Sequence, residues 1–404
     1  MWKVKKSQDS ADNNGRSSNV ELLRILCILF IIGDHFTGQS GIFEGGALGN
    51  HIFYCTVTSL SRVACSVFII ISAWFSVDRA FKFRKIIHVW LTVLMYTVPI
   101  TVYLIVKGAA GRANLITAFL PVENSPLWFA GYYIVLVMLS PMLNRFITQA
   151  PKAMIEYFLL SMFLLQSLFT TMTTSLGFFS NDIWTLIFIY VLTGYIKIYY
   201  TNALSSKKSF FIFGSVWVAL TCLRAVAAYY GWGIVANYCE TYRARLQTVP
   251  NLIMAYTLFF GFLGAKIHHS KVINKIASTT LGVYCFHQVP VWYDYLWMNG
   301  FHADVYSQIL HGWRRMVYTI FSIVIVWIVG TVIELIRSNI AGGIVENRKY
   351  CKKFCSKIDG YVNNFEKIDY EDEKKLFLKK IIGMFVIYYI FIDMLNFIAV
   401  YFAQ

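Results

Sequence analysis

The sequence predicts an all-α fold, a polytopic bundle of transmembrane helices with a ten-helix core. Three observations carry this. Of 404 residues, 57% are hydrophobic and only 14% charged, where a soluble domain carries about a quarter charged residues. Mean hydropathy is +0.56. Apolar runs long enough to span a bilayer recur along the chain, and the basic residues fall mainly in the short loops between them.

The elements follow in order. Residues 1–18 are polar, with Lys3, Lys5, Lys6 and Arg16, and read as a cytoplasmic tail. Residues 19–337 form the membrane domain, with spans expected at 20–37, 57–77, 86–107, 127–148, 153–175, 180–198, 209–229, 249–267, 276–297 and 315–337. Residues 338–380 are rich in charge and read as a cytoplasmic linker; 381–404 hold an apolar run, 381–402, a candidate eleventh span. With the N-terminus inside, the cytoplasmic loops carry Arg79, Lys82, Arg84, Lys85, Arg145, Lys152, Lys197, Lys207, Lys208, Lys266, Lys271 and Lys275. The opposite loops carry Lys107, Arg112, Arg243, Arg245, Arg314 and Arg315, so the bias of twelve to six sets the N-terminus in the cytoplasm.

The formal charge is +15. Because those cations are topology signals, a nucleic-acid partner is not expected; the lipid bilayer is. Cys27, Cys65, Cys222 and Cys285 lie in apolar runs, where a thiol is a small buried group. Cys351 and Cys355 are too few for a metal site, so none is expected.

The first apolar run carries Arg24 and His35, eleven positions apart. At about 100° per residue this is close to three whole turns, so both leave one helix face, about 16 Å apart along the axis. Ionisable residues inside a membrane are costly and mark cavities or pathways. Imidazole is the side chain whose ordinary pKa lies near operating pH, which makes His35 the natural base for a hydroxyl proton. Asp34 adjoins it but points about 100° away, so no Asp34–His35 dyad is expected, and the group that orients His35 comes from elsewhere. Arg24 sits in the first turns, where a cation and the positive helix end suit phosphate; pairing with Glu21, three residues earlier, is the competing reading.

The entry Val20-Glu21-Leu22-Leu23-Arg24 with His35 eleven residues beyond Arg24, the second-helix segment Phe68-Ile69-Ile70-Ile71-Ser72-Ala73, the run Trp128-Phe129…Tyr132…Ser140-Pro141-Met142-Leu143-Asn144 and the segment Gly282-Val283-Tyr284-Cys285-Phe286-His287 occur in one order along residues 19–337. Together they resemble the bacterial membrane acyltransferase family 3. Ala73 stands where that family has glycine. The resemblance implies an integral-membrane O-acyltransferase, moving an acyl group, commonly acetyl, from cytoplasmic acyl-CoA to a hydroxyl of a cell-surface or lipid-linked carbohydrate. It implies His35 as catalytic base and Arg24 as a coenzyme A contact. Arg84 and Lys85, in the basic segment after the second span, are a further coenzyme A contact or a topology anchor.

On the acceptor side, Trp128 and Tyr132 are stacking groups for a sugar or members of the interfacial aromatic belt. Arg62 and Arg224 are cations near the depth of His35, suited to an oxyanion or an anionic glycan. His287 is the second histidine candidate. Acetyl-CoA is a donor substrate, and no permanently bound cofactor is expected. The expected location is the bacterial cell membrane. A transporter or exporter of an anionic solute or polysaccharide is the rival reading, and a non-catalytic partner of a polysaccharide synthase is a third.

Overall fold

The computed structural model describes residues 17–43, 45–111, 113–119, 127–173, 181–200, 205–341 and 348–364. Among these residues the fold is helical, without strands. The helices run α1 (Ser18–Gln39), α2 (Leu48–Thr58), α3 (Ser61–Trp74), α4 (Arg84–Val106), α5 (Ala113–Ala118) and α6 (Trp128–Gln149). Next come α7 (Lys152–Met162), a π-helical turn (Phe163–Leu168) and α8 (Phe169–Met172), then α9 (Asp182–Tyr199), α10 (Ser206–Tyr229), α11 (Gly233–Ala244) and α12 (Val249–Leu263). The last are α13 (Lys271–Ala277), α14 (Thr280–Gln288), α15 (Trp292–Tyr295), a second π-helical turn (Leu296–Gly300), α16 (Ala303–Ile309), α17 (Trp313–Ala341) and α18 (Lys349–Asn363).

Seven of these stretches are long and apolar enough to cross a membrane, and an eighth is added if α11 and α12, bent by 45°, count as one span. The chain is a multi-pass membrane protein. The ten-helix expectation differs from this at two places. α1 is one helix of 22 residues and is not among the seven. The run expected at 276–297 is broken rather than continuous: α14 stops at Gln288, Val289 is extended (φ −61°, ψ 134°), and Val291 has φ 63°. Pro290 biases the residue before it away from helical geometry, which ends α14 there. The candidate eleventh span, 381–402, lies outside the described residues.

α17 shows how the bundle is solvated. Arg315, Thr319, Ser322, Val326, Gly330, Glu334 and Arg337, spaced three or four apart, are buried, while Val317, Phe321, Val324, Ile328, Val332 and Ile336 are exposed. Polar residues face the bundle and apolar residues face outward. A soluble helix has the opposite arrangement, and a membrane-spanning one has this one.

Against that shell α1 is central, packing on α2, α3, α12, α13, α14 and α17. α14 is fixed between α4 and α17. Glu334 takes both Nε (2.6 Å) and a terminal nitrogen (2.7 Å) of Arg337 and the Tyr96 hydroxyl (2.9 Å). This buried cluster lies against Gly282 so closely that a Cβ there would overlap the Glu334 carboxylate. A glycine is therefore required where α14 crosses α17.

Candidate functional site

The break after α14 leaves His287 in the last turn of a short helix, facing α1. Its Nδ1 lies 2.6 Å from the carbonyl oxygen of Val283, one turn back, and its Nε2 lies 3.0 Å from His35 Nδ1. A carbonyl only accepts, so His287 Nδ1 carries the proton and Nε2 the lone pair. His35 Nδ1–H then donates to that lone pair, and among the described residues His35 Nε2 is left with its own lone pair unshared. His287 is fully buried, whereas His35 is partly open. One residue after His287 and four after His35, the side-chain amides of Gln288 and Gln39 meet (3.2 Å), and Trp297 Nε1 donates to Gln39 (2.8 Å). Two adjacent polar links thus hold α1 against α14, and Phe36 packs on Trp297 between them (ring centroids 5.2 Å).

Asp34 turns away from its neighbour, as expected. It pairs with Arg243 of α11 (3.0 Å), which also holds Glu240 (2.7 Å). Glu240 in turn takes Arg224 Nε (2.5 Å), and Arg224 donates to Thr58 (2.7 Å) and lies over the Tyr54 ring (5.4 Å). Asp34, Arg243, Glu240 and Arg224 form a chain of two acids and two cations, locking α11 to α1 and α10, and through Thr58 α10 to α2. Arg224 is committed to this chain rather than offered as an open cation. Arg62 pairs with Asp182 (3.5 Å) and lies 5.0 Å over the Trp128 ring, within electrostatic reach of His35. Tyr132 packs edge-on against Trp128 (5.8 Å). The structure therefore joins Arg62, Trp128 and Tyr132 in one cluster.

A second site opens at the other end of α3. Ser72, Ser76, Arg79, Ala80, Phe81, Lys82, Lys85, Leu136, Val137, Ser140, Asn144 and Tyr190 line a narrow cleft that opens to solvent. Asn144 shapes it, donating to the Ser76 carbonyl (3.0 Å) and accepting from Tyr190 (2.8 Å). Lys85 donates to Ser76 Oγ (2.9 Å) and lies within electrostatic reach of Arg24, Arg79 and Lys82. Arg24 is ion-paired with Glu21 (3.7 Å), as the competing reading has it, and its Nε is buried without a hydrogen-bond partner among the described residues. Arg84, at the first turn of α4, is exposed and is not among the lining residues.

Sequence reasoning named both histidines but not their contact, which depends on how α1 and α14 pack. It missed Arg243 and Glu240, whose helix reads as a loop between spans. It also missed Arg79, Asn144 and Tyr190 as cleft residues, although Asn144 closes one of the motifs quoted above.

Residues 17–333 match the family model described as an acyltransferase domain, that of acyltransferase family 3. Nothing among the curated proteins or the solved structures compared with the chain matches it.

Proposed function

Since the chain belongs to acyltransferase family 3 and is a multi-pass membrane acyltransferase, we propose that it moves an acyl group, acetyl in the simplest case, from cytoplasmic acyl-CoA to a hydroxyl of a cell-surface or lipid-linked carbohydrate. The observation that carries this reading is the His35–His287–Val283 relay, which leaves the lone pair of His35 Nε2 open to an acceptor proton in the partly exposed last turns of α1.

In this mechanism the acceptor hydroxyl attacks the thioester carbonyl carbon while His35 Nε2 takes its proton. The imidazolium that forms keeps its Nδ1–H on His287 Nε2. The carbon–sulfur bond then breaks, and His35 returns the proton to the departing coenzyme A thiolate. Arg62, held near His35 by Asp182 and Trp128, steadies the negative charge on the tetrahedral oxygen. Trp128 and Tyr132 flank the acceptor. Arg224 and Arg243 keep Asp34 and α11 in place.

Coenzyme A phosphates are assigned to the cation cluster of Arg24, Arg79, Lys82 and Lys85, with Arg84 beside it. Arg24 has unsatisfied donor capacity, as a phosphate ligand requires. This cluster faces the cytoplasm in a bacterial cell membrane, with the N-terminus on the same side.

The test is transfer of radiolabel from acetyl-CoA in membrane vesicles containing host glycans, with wild type and His35→Ala at equal expression. The reading predicts labelled glycan in the wild type and none above background in His35→Ala. Equal labelling by both contradicts it.

A further inference from the structure

α18 lies beyond the family-matched segment, and its sequence divides sharply around the helix. Tyr350, Cys351, Phe354, Cys355, Ile358, Tyr361 and Val362 occupy one arc, and Arg348, Lys349, Lys352, Lys353 and Lys357 the other. The helix docks through one border between the two arcs, where Cys355 adjoins Asp359 and Asn363. Cys355 is buried, and Asp359 accepts the backbone N–H of Phe83 (2.6 Å). Asn363 makes a two-way pair with Phe81, accepting its N–H (2.9 Å) and donating to its carbonyl (3.0 Å). Phe354 meets the Phe83 ring edge-on (6.0 Å). Cys351, Ile358, Tyr361 and Val362 are half-buried, whereas Tyr350 is 86% exposed and Phe354, despite that contact, 52%. Lys353 and Lys357, both exposed, adjoin these rings on the helix wheel.

Position decides what meets this face. α17, a membrane-spanning helix, ends at Ala341, and α18 begins at Lys349. So short a connection, at most about 3.6 Å per residue, keeps α18 near the membrane surface. Its contacts with Phe81 and Phe83 fall immediately before α4, another span, at the same surface. An exposed pair of aromatic rings beside a row of lysines, lying at a bilayer surface, has the chemistry of an interfacial helix: rings enter the headgroup layer and ammonium groups meet phosphates.

We infer that α18 is a membrane-surface helix that binds anionic phospholipid headgroups through Lys353, Lys357, Tyr350 and Phe354, and that it holds the Phe81–Phe83 segment of the basic cleft through Asp359 and Asn363. The lipid surface and the cleft are thereby linked by one rigid helix. Phe81 and Lys82 line the cleft, so the lipid-bound helix sets the position of its rim. The lipid contact itself stands apart from the acyltransfer reading.

The experiment is amide hydrogen exchange on the full chain in nanodiscs, without acyl donor. One lipid is phosphatidylcholine alone and the other is phosphatidylcholine mixed with phosphatidylglycerol. In the wild type, exchange over 349–363 is expected to slow in the anionic lipid. The doubly substituted K353Q/K357Q chain is expected to lose about thirtyfold of that slowing. Protection of the Phe81 and Phe83 amides in the variant reports that the helix is still folded and docked. With those amides protected, equal exchange in the two lipids for the wild type, or equal slowing in the variant, overturns the inference. Asp359→Ala and Asn363→Ala are expected to release the Phe83 and Phe81 amides respectively; unchanged protection overturns the link to the cleft.

Discussion

His35 Nδ1 and His287 Nε2 stand 3.0 Å apart, and the second imidazole is in turn anchored to the Val283 carbonyl. Two residues 252 positions apart in sequence thereby form one proton-carrying unit whose direction a backbone oxygen fixes. His287→Ala removes the acceptor that holds His35 in its tautomer and is expected to lower kcat by about a hundredfold or more, with KM for the donor little changed. His287→Gln supplies another acceptor for the His35 Nδ1–H and is expected to recover part of the loss. Initial rates of coenzyme A release by the purified proteins check both.

The α14–α17 crossing is predicted to be intolerant of any side chain at Gly282. Gly282→Ala drives a Cβ into the Glu334 carboxylate and is expected to cost about 1–3 kcal/mol. Arg337→Ala leaves Glu334 buried and uncompensated beside Tyr96, with an expected cost of about 3–5 kcal/mol. Thermal unfolding in detergent measures both, with Arg337→Ala giving the larger fall in Tm.

The sequence carried the membrane class because composition and run length register the bilayer directly, and α17 obeys it residue by residue. His35 and Arg24 stood out as candidates because an ionisable group in an apolar run is conspicuous. The broken geometry after Gln288 was less visible: Pro290 marks an end to helix, but the apolar run continues through it, and run length alone reads a span. The Asp34–Arg243–Glu240–Arg224 chain was hidden for another reason. Its members come from α1, α10 and α11, and only tertiary packing pairs them. Arg224 read as an open cation because its partner Glu240 sits sixteen residues further on.

The basic cleft predicts a salt-sensitive donor affinity. Lys85→Ala and Arg24→Ala are each expected to raise KM for acetyl-CoA by roughly three- to tenfold, as loss of a partly exposed charge contact does, while kcat stays within about twofold. Added salt is expected to narrow the difference from the wild type. Saturation curves at two ionic strengths test this.

The thiols of α18 report its docking. Burial, with Cys351 alongside, pushes the Cys355 thiol up to about 11. A thiol above its ordinary range is almost wholly protonated at neutral pH and reacts slowly. Iodoacetamide is therefore expected to modify Cys355 slowly in the wild type and faster in Asp359→Ala, where one tie between α18 and the Phe83 amide is gone. Mass spectrometry of the labelled peptides reads the two rates.

The most direct test of the central claim is the rate of coenzyme A release from acetyl-CoA by purified His35→Ala in the presence of acceptor glycan, with its folding verified by a wild-type Tm. Removal of the base is expected to reduce the rate about 10²–10⁴-fold. A His35→Ala protein that releases coenzyme A and acylates the glycan at the wild-type rate contradicts the account.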